Sequence, residues 1–243
     1  MTVLVVGASG ATGQLLVRQL ANAGQSVRAV VRQSSRLPED IRSHENVSVV
    51  QADIHEVDAS QMKELVKGCD AVASCLGHNL SFKGMFGHPR LLVTDTVRRL
   101  CQAIDENRAN QVAKFVLMNT TGNINRDLAE QVSFAQNCVL GLLRLLLPPH
   151  VDNERAAEYL RTEIGKNHAC IEWVAVRPDG LINEEDVTDY GDYDVHPSPI
   201  RSAIFDAGKT SRINVAHFMA ELIVNKAVWN RWKGQMPVIY NRA

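Results

Sequence analysis

The chain has 243 residues, 45% of them hydrophobic and 22% charged, with a formal net charge of −1. That composition supports a sizeable core and argues against disorder, and a near-neutral chain without a basic stripe argues against nucleic-acid binding. Aromatic residues are scarce at 5%, leaving no stacking platform for bases. Cys69, Cys75, Cys101, Cys138 and Cys170 show no C-x-x-C spacing, and the eight histidines show no metal-ligand spacing. We therefore expect no metal site, and free thiols in a reducing, cytoplasmic setting.

In chain order, the first predicted strand is Val3–Val6, with no secretory leader expected before it. It runs into "GASGATG", residues 7–13, and then into helical spacing over Thr12–Ala23. Gly7 permits the tight strand-to-loop turn. Gly10 removes a Cβ where a phosphate must come close, and Gly13 lets the helix pack against the strand. The free N–H groups opening the helix suit a pyrophosphate. The spacing G-x-x-G-x-x-G differs from the common G-x-G-x-x-G, but it lies between a strand and a helix, as a dinucleotide turn requires.

The second strand, Val27–Val31, ends in "RQSSRL". An NAD site usually has a carboxylate here for the ribose 2′-OH. Arg32, Ser34, Ser35 and Arg36 stand here instead, and no acid follows until Glu39. A guanidinium with hydroxyls suits a 2′-phosphate, so NADP(H) is favoured over NAD(H). After the third strand, Val47–Gln51, Asp53 and Ile54 either meet an adenine ring or simply cap the strand end.

A helix over Ala59–Val66 leads to the fourth strand, Ala71–Ser74, and to "SCLGHN", residues 74–79. Cys75, Leu76 and Gly77 would underlie the ribose and pyrophosphate, with Cys75 read as a buried, inert thiol. Next come a helix over Leu91–Asn107 and a strand over Phe115–Met118. The segment 128–150 carries Leu140, Leu143 and Leu147 on one helical face. It could roof a substrate pocket, pack on the core or form a homodimer face through 128–147. Its apolar run "CVLGLLRLLLPP" is too short to span a bilayer. A helix over Glu154–Gly165 and a strand over Trp173–Val176 precede "NEEDVTDYGDYDVHPSP", residues 183–199, which is acidic and rich in turn formers. We read it as an excursion from the sheet's C-terminal edge. A helix over Val215–Lys226 and a strand over Pro237–Tyr240 close the chain.

Apolar strands alternating with helices predict an α/β fold: a doubly wound (Rossmann) parallel sheet with helices on both faces. Residues 1–243 are expected to form one NAD(P)-binding domain, with 180–215 as a small substrate-side excursion.

"GASGATG", "VRQSSRLP", "ADI", "KFVLMNTTG", "VAVRPDGLI" and "TSRINVAHFM" occur in the order seen in atypical short-chain dehydrogenase/reductases of the NAD(P)H-binding, NmrA-like type. Nearly the whole chain resembles this group, and the biliverdin/flavin reductase branch is similar. The resemblance implies that Ser9, Gly10, Ala11 and Thr12 meet the cofactor diphosphate and that Arg32 takes the 2′-phosphate. It places Leu76 and Gly77 beside the ribose, and Asn119, Thr120 and Thr121 before the nicotinamide. Pro178 through Leu181 would close over the carboxamide.

Ordinary short-chain dehydrogenases use Tyr-x-x-x-Lys, where a lysine lowers the tyrosine pKa so that it can move a proton. Here Glu163 follows Tyr159 at that spacing, Asp194 follows Tyr190, and Pro197 follows Tyr193. The pair is absent, which disfavours carbinol oxidation more than reduction of a conjugated acceptor. Thr120 is the candidate for orienting a substrate carbonyl, the alternative being a hydroxyl bonded to local backbone. His78 could reach the pocket mouth, and His150 follows Pro148–Pro149 and precedes the helix that would carry the catalytic pair; each reads as a loop histidine, the alternative being an acid. Two functions of different class follow: an NADP(H)-dependent oxidoreductase acting on a flavin- or quinone-like small molecule, or a catalytically silent NADP(H) sensor. A sugar-nucleotide epimerase is the weaker third, because it needs the missing pair.

Overall fold

A computed structural model of the chain describes residues 1–78, 87–107, 111–130, 132–184 and 190–242. Its strands are β1 (Thr2–Val6), β2 (Ser26–Val31), β3 (Val47–Gln51), β4 (Ala71–Ser74), β5 (Ala113–Met118), β6 (Ile171–Pro178), β7 (Leu181–Ile182), β8 (Tyr193–His196), β9 (Thr210–Ser211) and β10 (Val238–Asn241). Its helices are α1 (Ala11–Asn22), α2 (Glu39–Arg42), α3 (Ala59–Val66), α4 (Leu92–Asn107), α5 (Phe134–Leu146), α6 (Pro148–Tyr159), α7 (Arg212–Val224) and α8 (Lys226–Trp232).

Eight strands form one sheet in the order β3-β2-β1-β4-β5-β6-β10-β8, while β7 and β9 pair separately. Neighbours are parallel throughout the large sheet except β8, which runs antiparallel to β10. The chain winds outward from β1 to β3, then returns to lay β4 on the other side of β1. At that reversal the connections leave β1 and β4 in opposite directions, and a crevice opens beyond their carboxyl ends.

Each central strand is buried on both faces. Val3 and Val5 join a core with Leu16, Val17 and Leu20 of α1 and Val215, Met219 and Leu222 of α7. Leu4 and Val6 point the other way, into a core with Met62 of α3, Val97 and Leu100 of α4 and Ala156 of α6. This two-sided burial explains why the strands read as continuous branched-aliphatic runs rather than as alternation.

Local chemistry sets the helix ends. Asp58 and Gln61 form a reciprocal capping box at the start of α3. Pro148 and Pro149 occupy the first turn of α6, where their fixed φ is welcome and no N–H is missed. That helix therefore begins earlier than its apolar spacing predicts. It ends by widening into a π turn over Leu160–Ile164, stopped by Gly165 at φ +66°. The predicted Val215–Lys226 helix is two helices, because the Asn225 backbone turns extended at the end of α7 and its side chain caps α8.

Two further expectations are corrected. Within 183–199 the chain returns to the sheet as edge strand β8, with Tyr193 and Val195 packed on the core; residues 185–189 lie outside the described residues. Four residues of alternation are too few to stand out in so acidic a stretch. In α5 only Leu140 is buried, while Phe134, Leu142, Leu145 and Leu146 are exposed. The helix is thus not a core element; of 128–150, residue 131 lies outside the described residues.

Candidate functional site

The turn between β1 and α1 is built on contacts that only glycine permits. Gly7 has φ +74°, and a Cβ there would lie 2.7 Å from the Cys75 backbone at the end of β4. At Gly13 a Cβ would sit 2.2 Å from the Gly7 carbonyl oxygen, so helix and strand could not approach as they do. The Gly10 N–H donates to the Gly7 oxygen at 3.0 Å and closes the turn. As N-cap of α1, Gly10 supplies no capping side chain, and no acid lies in the first turn. The opening amides of α1 thus face outward without a side-chain acceptor of their own.

This turn borders a cavity of about 400 Å³ at the carboxyl ends of β1, β2 and β4. Gly7, Ser9 and Gly10 form one wall. Arg32, Asp53 and Ile54 stand on the β2–β3 side, and Cys75, Leu76 and Gly77 follow from β4. Among the described residues nothing lies within 4 Å of where a Gly77 Cβ would be. Ala11, Thr12 and Gly13 stand behind the lining, in the first turn of α1, and Ser34 also lies outside it. Arg36 lines the cavity where Ser34 does not. Arg32 and Arg36 are both exposed, and no carboxylate forms an ion pair with either among the described residues. Asp53 does what both of its readings require: it borders the cavity, and its carboxylate accepts the His55 N–H at 3.2 Å.

A second cavity, of about 330 Å³, lies at the carboxyl ends of β5 and β6. It collects Asn119, Thr120, Thr121, Pro178 and Leu181, with Leu140 and Leu143 of α5 and Ala203, Ile204 and Ala207 closing the far side. Thr120 takes the local arrangement, its Oγ1 accepting the Gly122 N–H at 3.2 Å, while still facing the cavity. Thr121 donates its hydroxyl to the Asp179 carboxylate at 3.1 Å. The same carboxylate takes the N–H groups of Gly180 and Gly208, at 2.9 and 2.8 Å, and so ties the 200–208 segment to the end of β6. Asn119 donates to the Asn153 carbonyl of α6 at 3.0 Å.

Several residues at the site carried no sequence signal of their role. His78 lines the first cavity, and its Nε2–H donates to Asp152 of α6 at 2.7 Å. The Asp152 carboxylate is fully buried and also accepts the Val93 and Thr94 amides at the start of α4, at 2.8 and 2.9 Å. Burial pushes this carboxyl up, but the hydrogen bonds from His78, Thr94 and Val93 outweigh it and hold it below the usual carboxylate range. Arg212, opening α7, reaches Thr12 Oγ1 at 3.4 Å and adds a cation beside the α1 terminus. Arg177 is fully buried in β6 and holds Glu130 through two bonds of 2.9 and 2.6 Å, which pins the loop after β5. The spacing between these partners is long-range, so neither local pattern nor motif exposes them.

The thiols separate by environment. Burial pushes Cys75 up to about 12, whereas Cys138 is exposed. Iodoacetamide at mild alkaline pH is therefore expected to label Cys138 first and leave Cys75 unmodified in the folded protein, as peptide mass spectrometry would show. Equal labelling would contradict the raised Cys75 pKa. Among the described residues no helix is long and apolar enough to cross a membrane.

A family model described as NAD(P)H-binding matches residues 7–226. No curated protein matches the sequence. Among solved structures, an oxidoreductase from Lactococcus lactis is 19% identical, with a TM-score of 0.69 over 100% of this chain and 91% of that one. A wide-type short-chain dehydrogenase/reductase from Veillonella parvula DSM 2008, in complex with NADP, is 16% identical, with a TM-score of 0.70 over 100% of this chain and 95% of that one. The anaerobilin reductase ChuY from Escherichia coli O157:H7 is 16% identical, with a TM-score of 0.67 over 99% of this chain and 97% of that one. At these identities the likeness speaks for the fold.

Proposed function

This chain belongs to the NAD(P)H-binding family, and from that premise we propose that it is an NADP(H)-dependent reductase of a flavin- or quinone-like small molecule, working in the cytoplasm. The observation that carries the cofactor assignment is the pair Arg32 and Arg36 on the first cavity, at the strand end where an NAD site has its acid. The groove suits a dinucleotide: Gly7 and Gly13 keep side chains out of the turn, and Gly77 adds no side chain to the lining. The amides of Ala11, Thr12 and Gly13 would hold the diphosphate, with Ser9 and Gly10 beside it. Arg32 would pair with the 2′-phosphate, with the Ser34 hydroxyl in support. Asp53 and Ile54 would border the adenine, and Cys75, Leu76 and Gly77 the ribose.

A bound reduced nicotinamide supplies the hydride. This chain's residues supply position and dryness. Asn119, Thr121, Pro178 and Leu181 would orient the ring's carboxamide edge, and Thr120 would orient the acceptor's carbonyl. Leu140, Leu143 and Ile204 exclude water from the acceptor's other side. A silent cofactor sensor is the competing reading, favoured by the missing Tyr-x-x-x-Lys pair.

Arg32→Asp is expected to weaken NADPH roughly 10- to 100-fold and leave NADH nearly unchanged, since a charge-assisted bond to phosphate is removed. Titration calorimetry with both nucleotides checks this, and equal loss of both would overturn the 2′-phosphate assignment. Oxidation of NADPH with a panel of flavins and quinones then decides between reductase and sensor: turnover supports the first, tight binding without turnover the second.

A further inference from the structure

We propose that His150 is the proton donor to the acceptor, held in place by Glu154 and Arg144. The proposal rests on the reductase reading above. His150 lies in the first turn of α6, on the second cavity. Its Nε2 is buried without a hydrogen bond, and Glu154 Oε1 stands behind it at 3.6 Å. Glu154 is in turn held by Arg144 of α5, whose Nε and Nη2 reach the carboxylate at 2.8 and 2.7 Å. The other edge of the ring faces Gly122: a Cβ there would lie 3.1 Å from His150 Cε1, 3.6 Å from its Nδ1 and 3.7 Å from Thr120 Oγ1. A side chain at Gly122 would crowd this edge of the ring, so glycine there lets the Nδ1 edge of His150 approach the Thr120 hydroxyl on the cavity that both line. The neighbouring lining from α5 is apolar, supplied by Leu140 and Leu143.

This arrangement supplies the half of the reaction that a nicotinamide does not. Two electrons and one hydrogen reach the acceptor's electrophilic atom as hydride, which leaves the cofactor oxidised. The electron pair displaced through the conjugated system collects on the acceptor's carbonyl oxygen or ring nitrogen. The Nδ1–H of imidazolium His150 gives its proton there, and the neutral ring regains one from water. Nε2–H stays toward Glu154, whose charge supports the imidazolium. The acceptor class follows: a flat conjugated molecule whose carbonyl or imine terminus can reach the cavity edge between His150 and Thr120.

The charged groups around the ring are Glu154 on its own helix, Arg144 on α5 and Asp179 across the cavity. Burial lowers the His150 pKa below the usual imidazole value, Glu154 counteracts this and Arg144 adds to it. An acid of this kind works better as pH falls.

The test is stopped-flow reduction of menadione and of FMN by NADPH, from about pH 5 to about pH 8.5, bracketing the imidazole range. The wild-type rate is expected to rise as pH falls through the lowered imidazole value. His150→Gln should bind NADPH normally, lose that pH-dependent limb and turn over roughly 100-fold more slowly. As a readout apart from turnover, long-range ¹H–¹⁵N NMR should show the His150 ring nitrogens shifting when menadione binds without nucleotide. Turnover that persists in His150→Gln with an unchanged pH profile, or ring nitrogens that do not respond to menadione, would overturn the donor role and leave the reductase reading standing. If the wild type reduces neither probe while binding NADPH, both fall together.

Discussion

Asp152→Ala is expected to lower the unfolding free energy by about 3–5 kcal/mol, the cost of breaking a buried charged hydrogen-bond centre from one side. For a chain of this length that is a fall in Tm of roughly 10 °C. Three donors converge on the Asp152 carboxylate: His78, Val93 and Thr94. Two of them are opening amides of α4, donors that have no acceptor within the helix itself. Thr94 Oγ1 bonds the Asp152 carbonyl at 2.9 Å, so the backbone contact survives and the side chain alone is tested. Asp152→Asn keeps the shape and one acceptor oxygen, and should cost about half as much. The pH dependence has a definite sign. The folded-state pKa is depressed, so the contribution is fully present above the ordinary carboxylate pKa and is lost as pH falls through the folded value. Urea unfolding at neutral and acid pH measures it: the gap between wild type and Asp152→Asn should narrow on acidification. A gap independent of pH would mean that the carboxylate charge does not carry the effect.

Gly13→Ala should destabilise the chain by about 1–3 kcal/mol or more and weaken dinucleotide binding at least roughly 100-fold. The added carbon would meet only backbone: the Gly7 oxygen at 2.2 Å, the Gly7 carbon at 3.0 Å and the Ala8 Cα at 3.1 Å. No side chain can rotate away, so the turn that aims the α1 amides must open. Gly77→Ala is the control, because its Cβ would meet nothing within 4 Å among the described residues. It should leave Tm unchanged and weaken only the nucleotide. Thermal unfolding and calorimetry separate the two, and normal nucleotide affinity in Gly13→Ala would show that the turn does not hold the phosphates.

The sheet was legible because every central strand is a short branched-aliphatic run that a helix must cover on each side. The first cavity was legible for a related reason: its lining comes from strand ends that the winding order brings together, so Gly7, Arg32, Asp53 and Gly77 could be placed by register alone. The second cavity was only half legible. Asn119 through Thr121 and Pro178 end two neighbouring strands, but Ala203, Ile204 and Ala207 reach it through a loop fastened by Asp179. The pairs His78–Asp152 and Arg177–Glu130 span 74 and 47 residues. A buried charge announces itself only through its partner, and the partner is chosen by the tertiary fold.

Within the four positions 150–153, α6 serves both cavities. His150 faces one, Asp152 fastens the histidine of the other, and the Asn153 carbonyl takes the Asn119 amide between them. A substitution that re-angles this helix for a new substrate also disturbs the opposite chamber. Substitutions on α5 and around Ile204 reshape the second cavity alone and are expected to leave the first cavity's nucleotide affinity unchanged.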